Sequence, residues 1–221
     1  TAALRALGKI GTMEAAEALA DADVPASLDV AWCNAYMTCA SRLAKSGDME
    51  SAVDMYEMVL NGDYPAASRA AAFGELAGVQ GAEAVPMVLQ TLQSDEKMMR
   101  QAAISAVSEM TGPEVNEAFA SELPNRPPAQ QAAVLNMLAG REVTEGLTPV
   151  VNKLARSGNE EVQIAAIQAL VSLGNADSVG IVADALAENG AVGEAAHQTL
   201  MQIKGEGVVD ALIDESLYGE A

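Results

Sequence analysis

One histidine, His197, and two cysteines, Cys33 and Cys39, are the residues of this sequence whose types first invite chemistry. A histidine works as a general base only with a nucleophile in reach, and no serine or cysteine stands close to His197 in sequence. It falls in an apolar column at helical spacing, which predicts a half-buried side chain in a core or a pocket at one end of the fold. Cys33 and Cys39 lie six residues apart in one predicted helix. Six residues rise about 9 Å, beyond the roughly 7 Å that a disulfide spans. Two free thiols are therefore expected, which a reducing compartment permits. Asp21-Ala22-Asp23 opens like a calcium loop, but Pro25, Ala26 and Trp32 occupy positions where that loop needs a ligand, a glycine and a glutamate. No Cys/His metal spacing, zincin pair, phosphate loop or dinucleotide fingerprint is present. The reading is of a non-enzymatic chain with no catalytic residue, metal or cofactor.

The elements that would carry any site repeat along the chain. Glu161 to Leu186 reads as two short amphipathic helices around a turn at Leu173-Gly174-Asn175-Ala176-Asp177. Val162, Ala166, Ile167, Leu170 and Leu173 form one apolar stripe, and Val179, Val182, Ala185 and Leu186 the other. Counterparts of Leu170 are Leu7, Ala40, Leu76, Val107, Leu138 and Leu200, spaced by 33, 36, 31, 31, 32 and 30 residues along the series. A period in this range marks a solenoid. Three residues earlier stand Leu4, Met37, Phe73, Ile104, Leu135, Ile167 and His197. Four earlier stand Ala3, Tyr36, Ala72, Ala103, Val134, Ala166 and Ala196, small enough on the whole to let helices approach closely. Three later stand Ile10, Leu43, Val79, Met110, Arg141, Leu173 and Ile203. Arg141 breaks that column, and Gly140 before it predicts a shortened helix.

The segments MRQAAISAV (Met99 to Val107), VQIAAIQAL (Val162 to Leu170) and SRAAAFGEL (Ser68 to Leu76), each leading toward a glycine turn, resemble HEAT repeats in their short bacterial, PBS-lyase-like form. The resemblance covers nearly the whole chain. It implies an all-α, right-handed α-solenoid of about seven antiparallel helix pairs, armadillo-like and without β-sheet, in one domain over 1–221. The family's arginine stands at Arg69 and Arg100, but Gln131, Gln163 and Gly193 replace it elsewhere, so a polar ladder between repeats would be partial.

Within the repeats, Ser27 is the expected N-cap of repeat two, whose helices run near Leu28–Ala44 and Met49–Leu60. Repeat three covers Ala66–Leu92, and Ser94 is expected to cap repeat four. Pro113 suits a first helical position. Repeat five spans Ala129–Ala155, with Thr144 as its second N-cap, and repeat seven spans Val192–Glu215. Trp32 shares a column with Met99 and Val162 and reads as core. Among the methionines, Met37, Met99 and Met110 read as core and Met55, Met58 and Met87 as exposed.

Half the residues are apolar but only 3% are aromatic, which suits stacked short helices better than β-sandwiches. A net charge of −19 disfavours nucleic acid and anionic membrane surfaces. No apolar run approaches the length of a membrane span, so no membrane insertion is expected. Thr1 enters a helix almost at once, which reads as a fragment of a longer protein.

In the family resembled, the second helix of each pair lines the concave side. Outward positions there include Glu14, Glu17, Asp54, Glu57, Glu83, Glu117, Asp177, Asp184, Asp210 and Asp214, with Met87 among them. They read either as a solvated face or as a groove for a Lys/Arg-rich partner. The functional expectation is a protein-interaction or scaffold module that binds a protein, a basic one where the acidic face acts as a groove, or neighbouring domains of its own chain. The resemblance also brings up a bilin-handling, chromophore-lyase-like subunit, and a passive interdomain spacer is the third reading.

Overall fold

A computed structural model describes residues 2–141, 146–205 and 207–218. All regular structure among them is helical, with no β-strand. Contacts divide the chain into two compact units, Thr1–Met110 and Thr111–Ala221.

The first unit holds α1 (Ala2–Ile10), α2 (Met13–Ala20), α3 (Asp29–Ser46), α4 (Met49–Asn61), α5 (Ala66–Gln80), α6 (Val85–Thr91) and α7 (Lys97–Glu109). The first helices of successive pairs stack, α1 on α3, α3 on α5 and α5 on α7, while α2 and α4 also pack on α3 and α6 on α7. Each helix therefore buries its apolar stripe against its pair partner and the neighbouring repeat together. Gly47 adopts φ 102° after α3, a left-handed cap that suits glycine. It lets the Asp48 N–H donate to Leu43 O at 2.9 Å, and Asp48 Oδ1 then caps α4 by accepting from Ser51 N. Gly8 serves close approach: a Cβ there would stand 2.5 Å from the Ala35 carbonyl oxygen, so α1 lies directly on the α3 backbone. The core is aromatic. Trp32 stacks between Tyr36 at 4.7 Å and Tyr64 at 5.1 Å, and its indole N–H donates to Leu19 O at 2.7 Å.

The second unit holds α8 (Pro113–Glu122), α9 (Pro128–Leu138), α10 (Thr148–Leu154), α11 (Glu160–Leu173), α12 (Ala176–Leu186), α13 (Ala191–Leu200) and α14 (Val208–Tyr218). Here α9, α11 and α13 stack as first helices, and α12 packs between α10 and α14 in the second layer. Leu135, Leu138, Ile167 and Leu170 fill the interior and are fully buried. Hydrogen bonds join one repeat to the next. Thr199 Oγ1 donates to Ile167 O, Thr148 Oγ1 to Leu173 O, Ser172 Oγ to Ala139 O, and Ser178 Oγ to Asn152 Oδ1.

Several sequence expectations are corrected. Ser27 is no cap; Ala26–Leu28 forms a 3-10 turn, and α3 starts after Leu28 with no side-chain cap. Ser94 lies two residues outside the cap position, where its hydroxyl accepts from Glu96 N. Met55 is buried rather than exposed, and Leu186 is exposed rather than core. His197 is exposed rather than half-buried, but it does line an open hollow with Gly193 and Glu194, the end-pocket alternative. Thr144 lies outside those residues. The shortened helix at Gly140 is present, since α9 ends at Leu138.

Candidate interaction surface

The ten carboxylates singled out by position are all exposed. In the first unit, Glu14 and Glu17 project from α2 and Asp54 and Glu57 from α4, while Glu83 sits on the 3-10 turn that leads into α6. A backbone N–H at the start of α2, helped by the Thr12 hydroxyl, holds the Glu14 carboxyl below the usual range. Met87 on α6 is half-buried and packs against the core of this unit, so much of its side chain is committed inward. In the second unit, Glu117 projects from α8, Asp177 and Asp184 from α12, and Asp210 and Asp214 from α14. Among the described residues only Asp184 of the ten forms an ion pair, at 3.6 Å to Arg156, with both side chains mostly in solvent.

One concavity brings Asp177 and Asp184 together. A groove of about 1050 Å³ is lined mainly by α10 and α12, including Pro149, Leu154, Gly180 and Ile181, with Pro124 and Gln131 also on its surface. Its α12 wall carries the two aspartates and its α10 side carries Lys153 and Arg156. The uniformly acidic trough suggested by the sequence columns is therefore interrupted here by two cations. Sequence reading missed Lys153 and Arg156 because it followed only acidic columns; their three-residue spacing across the end of α10 was the available signal. A smaller hollow of about 590 Å³ adjoins it, sharing Arg156 and Asp184 and adding Glu160 and Glu188.

The family arginine column is a partial ladder, as the replacements predict. Arg69 pairs with Glu96 of the next repeat at 2.6 Å and also donates to Tyr64 O. Arg100 donates to Ser94 O. Gln131 donates to Pro124 O and Arg126 O, and Gln163 reaches Glu188 at 2.8 Å. Arg141, which broke the apolar column, is buried: Nη1 donates to Asn116 Oδ1 at 2.9 Å, and the guanidinium lies 5.4 Å above the Phe119 ring. Its flat face takes the place of an apolar side chain, and burial lowers its pKa.

The remaining chemical candidates are structural. Cys33 and Cys39 are free and buried, and burial pushes both thiols up, away from the reactive thiolate. No group of three or more His, Cys, Asp or Glu among the described residues is arranged to hold a metal ion. No helix among them is long and apolar enough to cross a membrane.

Residues 147–217 match the family model for HEAT repeats. No curated protein matches the chain. HEAT repeats build α-solenoids, generally mediate protein–protein interaction or scaffolding, and are typically non-enzymatic. The repeat columns and the helix pairs stacked within each unit are similar to the HEAT repeats that the family model matches over residues 147–217.

Proposed function

We propose that the chain is a protein-binding scaffold module whose second helices offer exposed carboxylates to a basic segment of a partner. The observation that carries this reading is that nine of the ten outward carboxylates have no cation partner among the described residues. A carboxylate with no internal pair keeps its Coulomb attraction for an incoming Lys or Arg, and such attraction acts mostly on association rate and orientation. Both units contribute: residues 1–110 hold fifteen Asp and Glu against seven Lys and Arg, and residues 111–221 hold sixteen against five.

Titration with an octalysine peptide tests the reading. Binding should appear at low ionic strength and weaken steeply from about 50 to 300 mM salt, as exposed charges are screened within a Debye length of about 8–10 Å. Binding that ignores salt, or no binding at low salt, contradicts it.

A further inference from the structure

We propose that the groove between α10 and α12 binds an extended segment of a partner protein in which acidic and basic residues alternate. The proposal rests on the protein-binding reading but assigns this one groove a different occupant from a purely basic tail. Lys153 and Arg156 stand on the α10 side and Asp177 and Asp184 on the α12 side. The two walls therefore differ in sign. Lys153 and Asp177 form no ion pair among the described residues, and the Arg156–Asp184 pair is loose and exposed. A polylysine segment laid here would meet two cations. A segment of alternating sign would not: successive side chains of an extended chain point to opposite sides, so all its acids face α10 and all its bases face α12.

The groove floor supports close approach of a backbone. Gly180 lies inside α12, where glycine weakens a helix relative to alanine. Nothing in the fold requires it: a Cβ at Gly180 would meet only Glu215 Oε2, at 3.9 Å. Its small size leaves room for a backbone to lie against the helix. The volume, about 1050 Å³, is at the upper end of the roughly 300–1,000 Å³ of small-ligand sites, which suits a few residues of extended chain.

Two peptides of identical composition test this on the full chain by NMR titration, (Lys-Glu)4 and (Lys-Lys-Glu-Glu)2. Only the first puts one sign on each side when extended. The alternating peptide should bind about tenfold more tightly, the sum of a few exposed pairs, with amide shifts centred on 153–157 and 177–184. Lys153→Glu with Arg156→Glu should weaken the alternating peptide and strengthen octalysine. Gly180→Ala should raise the melting temperature yet weaken the alternating peptide about threefold or more, a combination that a purely structural glycine does not produce. Equal binding of the two peptides, shifts elsewhere, or no binding of the alternating peptide overturns the proposal. If octalysine binds with salt sensitivity while the alternating peptide does not, this inference fails and the scaffold reading stands.

Discussion

Residues 2–110 and 111–218 solve one packing problem in two ways. The first unit fixes its helices with large, shaped side chains: Trp32, Tyr36 and Tyr64 in a stack, with Tyr56 and Phe73 buried nearby. Its only buried polar residue among those described is Ser68. The second unit has Phe119 as its buried aromatic and relies on alanine, valine, leucine and isoleucine, while Asn116, Gln130, Gln131, Arg141, Ser178 and Thr199 are buried polar residues. Small aliphatic side chains have little shape, so sliding one helix by a turn costs little. Hydrogen bonds that recur at 25 to 33 residues' separation restore the register, because each needs one donor opposite one acceptor. Stacked repeats can thus be indexed by shape or by polar links: the second unit leans on the links, while the first leans on shape and adds the Trp32–Leu19 and Arg69–Glu96 links.

The largest effect that bears on this contrast should come from Trp32→Ala. It removes two ring contacts and the bond to Leu19 O, and a loss of about 3–5 kcal/mol is expected, read by chemical denaturation with amide protection lost around α3 and α4. A loss below about 1 kcal/mol would show that the aromatic stack does not organise the first unit.

Tyr56 gives the next largest effect. It is fully buried beside Ser41 and Glu75, makes no hydrogen bond of good geometry, and burial pushes its pKa up to about 12. The unfolded chain releases this proton near pH 10 while the folded chain keeps it. Stability is therefore unaffected below pH 10 and falls between pH 10 and 12, by up to about 3 kcal/mol for a shift of this size. Tyr56→Phe should lose that component, which denaturation of both proteins at pH 9 and pH 11.5 would reveal as a difference. Identical pH profiles would mean that Tyr56 ionises freely in the folded state.

In the second unit, Thr199→Val keeps the volume but deletes the bond to Ile167 O. A loss of about 1 kcal/mol is expected, measured by thermal denaturation; no loss would remove the polar links from the account of register. Smallest should be Arg69→Met, which breaks the exposed pair with Glu96 and should cost less than about 1 kcal/mol, with salt reducing the difference.

The repeat was legible in the sequence because its signal is dense: Leu76, Leu138 and Leu170 are each buried where the anchor column put them. The errors cluster where a column lacks its neighbour. Ile10 and His197 belong to apolar columns yet are exposed in the outermost pairs, since periodicity says which face is apolar but not whether another helix covers it. Ser27 and Ser94 looked like caps because N-cap chemistry is local, yet the chain enters α3 and α7 through turns that move the first helical residue. Thr199 and Ser178 were invisible as links, since a short hydroxyl on a helix reads as surface until its acceptor on the next repeat is known. At the candidate surface, exposure of the carboxylates followed from their place opposite the apolar stripe. The cations across the groove from Asp177 depend on how α10 meets α12, which no single-helix pattern contains.

The central claim is that binding belongs to one layer of helices and not to net charge alone. Octalysine affinity at about 50 mM salt should be compared in two variants that each neutralise five exposed carboxylates, a number chosen so that bulk charge falls equally. One changes Asp54, Glu57, Asp177, Asp210 and Asp214 on second helices to their amides; the other changes Glu75, Glu109, Glu160, Glu161 and Glu194 on first helices. The account predicts about tenfold weaker binding in the first variant and little change in the second. Equal losses in both would contradict it and leave only a diffuse acidic surface.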